Sequence, residues 1–111
     1  MADSSQIGRE RSAGPAATIL RPLGELDINA RDDLYASILG ALRTADRVVI
    51  DLAGVTFIDS EALGALIEGY NAAVANGAGY QVVNAQRGVA RVLNVSGAQE
   101  LFDAAGEPSG S

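Results

Sequence analysis

The chain has no histidine, no cysteine and no tryptophan, and all eight of its basic residues are arginine, so lysine is missing as well. Each absence removes a chemistry. Without Cys or His there is no zinc site built on thiolate or imidazole, no thiol nucleophile and no Ser-His-Asp triad. Without Lys there is no Walker-type phosphate loop. Carboxylates, hydroxyls and phenols are all that remain for catalysis. No apolar run approaches the length of a bilayer span, and the polar start of the chain is unlike a secretory signal. The expected compartment is therefore the cytoplasm. Fourteen acidic residues against eight basic ones leave a formal charge of −6. Such a surface repels nucleic-acid phosphates and anionic membranes, so neither is expected as a partner.

What is present suits one soluble domain: 111 residues, 48% apolar and 20% charged, enough for a single core. Residues 1–15, rich in Ser, Gly, Ala and Arg, read as a flexible lead-in or a short edge strand around Gln6 to Glu10. Residues 16–103 read as the folded domain and 104–111 as a disordered tail. "AATILRPLGEL" reads as a strand, with Pro22 marking it as peripheral or bulged. The next helix places Leu34, Ile38 and Leu42 on one face, with Tyr35 and Leu39 widening the stripe and Asn29 able to cap it. "RVVIDL" has the look of a buried inner strand. A second helix sets Leu63, Leu66, Ile67, Tyr70 and Val74 on one face and stops near Asn76-Gly77, residues that tolerate a left-handed terminus. "YQVV" reads as a strand, "RGVARVLNVSGA" as a short helix stopped by Gly97, and "ELF" as the start of a last edge strand. This alternation predicts an α/β layer fold: a small, mostly parallel sheet with helices packed against it.

The most telling junction is Asp59-Ser60, where a strand and apolar turn meet the second helix. A hydroxyl there can cap the helix through its free N–H groups, or it can be a chemical switch on a docking surface. Composition leaves both open. Asp51 closes a strand as the phosphoacceptor of a receiver domain does, but those domains need a lysine; it reads better as a residue satisfying turn amides. Glu25 and Asp27 read as near-surface charges before a helix. The five aromatic residues are spaced for packing, not for stacking bases.

Three stretches together resemble the STAS family, in particular bacterial anti-sigma factor antagonists: "GELD" at Gly24 to Asp27, "VVIDLAGVTFIDSEALGAL" at Val48 to Leu66, and "VARVLNVSG" at Val89 to Gly97. The resemblance implies a STAS-like layer fold and a non-enzymatic regulator that needs no cofactor. It implies phosphorylation of Ser60 by a partner that is both anti-sigma factor and serine kinase, release of the sigma factor by the unphosphorylated form, and resetting by a phosphatase. It places Asp27, Asp59, Ser60, Glu61, Ala62 and Gly64 on the partner-binding surface. The family pattern commonly reads Asp-Ser-Ser-Gly-Leu-Gly, whereas this chain reads Asp59-Ser60-Glu61-Ala62-Leu63-Gly64. Glu61 thus adds a charge beside the expected phosphosite. The chain also ends soon after Phe102, where the family usually continues through a further helix, so one face of the sheet is expected to be thinly covered, to be shielded by a partner or a second copy. The alternative is a STAS module that binds protein without phosphorylation, as a scaffold or transporter accessory.

A phosphoryl group on Ser60 would add roughly 1.5 to 2 negative charges. The helix end would tolerate it, whereas a partner docked there would have to bury a dianion beside Asp59 and Glu61, at high cost.

Overall fold

In "RVVID" the residues alternate: Val48 and Ile50 are fully buried, while Arg47, Val49 and Asp51 are half-buried on the other side. That period of two makes a strand with one face turned to a core, and the same pattern recurs in its neighbours. The structure, a computed structural model, describes residues 7–11 and 17–106. Its elements in chain order are β1 (Ile7–Arg11), β2 (Ala17–Pro22), β3 (Gly24–Leu26), α1 (Ile28–Leu42), β4 (Arg47–Asp51), β5 (Val55–Ile58), α2 (Ser60–Ala75), β6 (Gly79–Val83), α3 (Arg87–Val95) and α4 (Ala98–Gly106). Strands β2, β4 and β6 are parallel, β1 lies antiparallel along the β2 edge, and the sheet order is β1-β2-β4-β6. β3 and β5 form a separate parallel pair. This is the α/β layer fold that the alternation predicts.

α1 packs on β2 and β4, α2 on α1 and β6, and α4 on β6. The seam between α1, α2 and β6 is tight because α2 turns small residues to it. Ala62, Ala65, Gly69 and Ala73 are buried together with Leu63 and Leu66. At Gly69 an added Cβ would stand 2.8 Å from the Tyr80 hydroxyl oxygen and 2.9 Å from Ile38 Cδ1. Tyr80 fills the space and donates its hydroxyl hydrogen to the Leu66 carbonyl at 2.7 Å. Burial pushes this phenol far above its ordinary pKa. Tyr70 and Phe102 pack against the ring, with centroids 6.3 and 5.6 Å from it.

Several expectations change. "AATILRPLGEL" is two strands in two sheets, because Pro22 has no N–H to extend the ladder and Gly24, at φ +78°, redirects the chain. The connection containing Phe57 is itself a strand, β5, stabilised by pairing Leu26 with Ile58. The buried face of α2 is rotated toward its small residues, which leaves Val74 55% exposed; Leu39 of α1 is exposed too. "ELF" is helical. Gly97, at φ +83°, stops α3, and the Ser96 Oγ then accepts from the Ala98 N–H at 3.3 Å, so a new helix starts at once. Phe102 buries itself on Tyr80 and α4 covers β6 on the buried face of the sheet, while Ile19, Val49, Gln81 and Val83 on the other face are only half-buried. Ala104–Gly106, expected in the tail, belong to α4, and 107–111 lie outside the described residues. Of the lead-in, Ile7–Arg11 is an edge strand and residues 1–6 and 12–15 lie outside the described residues, as does residue 16, expected as the first of the folded domain.

Candidate functional site

The β3-β5 pair delivers two chain segments side by side, and each runs into a helix. Leu26 leads through Asp27 into α1, and Ile58 leads through Asp59 into α2. The pairing continues past the strands, since the Asp59 N–H bonds to the Leu26 carbonyl at 3.0 Å. The N-termini of α1 and α2 are thereby held together.

Aspartates cap both ends. Asp27 is extended (φ −122°), and its Oδ1 accepts from the Asn29 N–H at 2.9 Å. Asn29 therefore lies inside the helix and the cap is Asp27, a correction with a simple cause: the chain leaves the strand in extended form and turns helical only at Ile28. Asp59 does double service. Its Oδ1 accepts from the Ala62 N–H at 2.9 Å, capping its own helix, and its Oδ2 accepts from the Ile28 N–H of the neighbouring helix at 3.1 Å. One carboxylate thus ties two helix starts together, where the partial positive charge of each favours it.

Ser60 is consequently not the cap. It is the first residue of α2, exposed, and its hydroxyl has no hydrogen-bond partner among the described residues. Asp59 has taken the capping task and left the hydroxyl free. Glu61 is exposed, Gly64 is half-buried, and Ala62 is fully buried. Ala62 therefore offers no surface to a partner; it supports the site by donating its N–H to Asp59, its methyl group being consumed by the seam. Among the described residues no group of three or more His, Cys, Asp or Glu side chains is placed to hold a metal ion.

Three residues at the site escaped the sequence reading. Ile28 is 61% exposed and Phe57 is 49% exposed. Ile28 is bonded to Asp59 through its backbone, and Phe57 lies just before the Asp59 turn on β5, so apolar surface borders the acidic helix ends. Ile28 lies off the Leu34/Ile38/Leu42 stripe, which was a legible sign that it faces outward. Phe57 is accordingly not core packing. Arg31, the third, reaches from α1 to α2, with its Nε 3.6 Å from Glu61 and its Nη2 3.4 Å from Glu68. Nothing in the linear pattern pairs residues so far apart.

At the end of β4, Asp51 closes on the sheet instead. Its Oδ1 accepts from the Ala53 N–H at 3.0 Å and the Asn84 amide at 3.1 Å, and Arg21 Nε stands 3.4 Å from Oδ2. Burial works to raise this carboxyl, but those three bonds outweigh it and hold it below its ordinary range. It satisfies turn amides, as its strand-end position suggests. An open cavity of about 540 Å³ between the β4–β5 turn and the start of α3 is lined by Gly54, Thr56, Gln86 and Arg87, and Ser60 is not part of it. No helix among the described residues is long and apolar enough to cross a membrane.

The family model described as "Mlab, STAS domain" matches residues 10–103. No curated protein matches the chain significantly. Among solved structures, an anti-sigma factor antagonist from Mycobacterium paratuberculosis is similar with a TM-score of 0.73 at 21% identity, covering 92% of this chain and 87% of its own. The Bacillus cell fate determinant SpoIIAA in its phosphorylated form gives 0.67 at 19% identity over 89% of this chain and 86% of its own. The anti-sigma factor antagonist SpoIIAA in its unphosphorylated form gives 0.66 at 19% identity over 79% and 81%.

Proposed function

Since this chain belongs to the STAS-domain family, we propose that it is an anti-sigma factor antagonist whose binding is switched off by phosphorylation at Ser60. In its unmodified form it docks on an anti-sigma factor with serine kinase activity and releases the sigma factor. Transfer of the γ-phosphoryl group of ATP to Ser60 Oγ, with the hydroxyl proton leaving to the kinase, ends that binding, and a phosphatase hydrolyses the ester to restore it. The chain is the substrate in this cycle, not the enzyme, and the cycle belongs to the cytoplasm.

One observation carries the reading: the Ser60 hydroxyl is exposed and unpartnered on a helix start already capped by another side chain. A capping serine would have to leave its bond to be modified, and this one has no bond to leave. The docking surface comprises Asp27, Asp59, Ser60, Glu61 and Gly64, with Ala62 as buried support, bordered by Ile28 and Phe57. Its apolar rim supplies contact area, and its carboxylates steer a partner with basic residues. A phosphoryl group then acts on the partner, which would have to strip the water from a dianion added beside Asp59 and Glu61, whose charges its basic residues already answer.

The alternative, constitutive docking without phosphorylation, draws on Glu61, which already puts a negative charge beside Ser60. Incubation with the anti-sigma kinase and ATP separates the two. The switch predicts one phosphate, lost in Ser60→Ala, with Ser60→Ala binding retained and Ser60→Glu binding weakened tenfold or more, the effect of about 1.4 kcal/mol. No phosphate transfer, together with Ser60→Glu binding as tightly as wild type, would establish constitutive docking instead.

A further inference from the structure

The proposed phosphosite has a cation within the same molecule. Arg31 is the one basic residue in α1 and α2. It lies a turn into α1, whose first amide is bonded to Asp59 Oδ2 at 3.1 Å, so the first turns of the two helices abut. Its guanidinium touches three carboxylates: Asp32 at 3.3 Å, Glu68 at 3.4 Å and Glu61 at 3.6 Å. Glu61 follows Ser60 directly in the first turn of α2.

These contacts are loose. All are longer than the roughly 2.7–2.9 Å of a good charge-assisted bond. Arg31 is 36% exposed and Asp32 is 93% exposed, so water competes for every partner. The arginine is shared among carboxylates, and none holds it firmly.

We propose that Arg31 is the intramolecular counter-cation of phosphorylated Ser60, leaving Glu61 for the phosphoryl oxygens. The proposal rests on Ser60 being the phosphosite, as argued above. A phosphoryl group brings up to twice the charge of Glu61 and three acceptor oxygens in a geometry that the planar guanidinium matches in pairs. The other charged residues of β3, α1, α2 and the two caps are all acidic: Glu25 on β3, Asp27 before α1, Asp32 and Asp33 on α1, and Asp59, Glu61 and Glu68 from α2 and its cap. Without Arg31 neither α1 nor α2 would offer the dianion a cation. With it, the modified form satisfies its own charge, gains nothing from a cation on the partner, and obliges a phosphatase to displace an arginine before it can reach the ester.

The test uses the full 111-residue chain synthesised with phosphoserine at position 60, followed by ³¹P NMR across the second phosphate ionisation. Arg31→Gln should raise that pKa by about one pH unit, the low end of what a neighbouring opposite charge produces, and Arg31→Lys should restore part of it. Glu61→Gln, which removes both a like charge and a competitor for the arginine, should lower it. A purely structural arginine would leave the titration where it was. An unchanged or lowered value in Arg31→Gln, or a raised value in Glu61→Gln, overturns the proposal. The phosphate is built in, so the result does not depend on any kinase. Failure of ATP-dependent transfer would sink the phosphoswitch and leave the Arg31 measurement intact, and the reverse holds as well.

Discussion

β4 and β5 each run into an aspartate, and the two carboxylates spend their oxygens in opposite directions. Asp51 turns back on the sheet and binds the turn at Ala53, Asn84 after β6, and Arg21 of β2. Asp59 turns forward and ties together the starts of α1 and α2. The first arrangement closes a strand end and leaves no reactive group beside it. The second relieves its neighbour Ser60 of any capping duty and leaves a free hydroxyl on the surface. The same residue type at similar topological positions thus closes a strand end in one place and leaves an exposed hydroxyl beside it in the other, depending on which backbone amides lie within reach.

Four substitutions break or sharpen that contrast. Gly69→Val should have the largest effect, because the seam between α1, α2 and β6 has no room for a side chain there. Overpacking against Ile38 and Tyr80 should cost about 3 kcal/mol, read as a fall in the urea midpoint. If it costs less than either aspartate substitution, stability lies at the strand ends and not in the seam. Asp59→Ala removes two caps at once and should cost about 2 kcal/mol, at the usual value near 1 kcal/mol for each. A loss no larger than that of a single cap would show that the bond across to α1 contributes nothing.

Asp51→Asn should cost about 1 kcal/mol at neutral pH, most of it from replacing a charged acceptor. The sign of its pH dependence follows from a carboxyl held below its ordinary range in the folded state. Its contribution is complete above the unfolded value of about 3.9 and is lost as pH falls through the folded value. Thermal melts of wild type and Asp51→Asn should therefore converge on acidification below about pH 4; parallel curves would contradict the shift. The smallest effect belongs to Ser60→Ala. With the cap supplied by Asp59, the melt should stay within about 0.5 kcal/mol of wild type. A loss near 1 kcal/mol would mean that Ser60 caps after all, and the contrast between the two strand ends would fail.

Much of this was legible beforehand, for reasons that particular residues make plain. The alternation of Val48 and Ile50 with Val49, the stripe of Leu34, Ile38 and Leu42, and the stop at Asn76-Gly77 are local patterns with local causes. The Asp59-Ser60 junction stood out because a strand, an apolar turn and a helix follow one another in order. Other features stayed hidden because they depend on distance in space. β5 is too short to show a period and exists by pairing with β3. "ELF" has strand-forming side chains, yet Phe102 is better buried on Tyr80 from a helix. Asn29 and Ser60 are both good capping residues by type, and both lost the task to an aspartate one or two positions earlier.

The amino-acid sequence by itself determined the chemistry that is possible here: no imidazole, thiol or lysine side chain, a net negative charge, an alternation of strands and helices, and a serine at the mouth of a helix. Those properties follow from which side chains exist and from their local periodicity. Only the tertiary structure decided that Asp59 caps two helices, that Ala62 is interior while Ile28 and Phe57 are exposed, and that Arg31 stands among the carboxylates of α1 and α2. Each of those outcomes rests on a contact between segments distant along the chain, and such contacts are set by how the β3-β5 pair and the α1–α2 seam close in space.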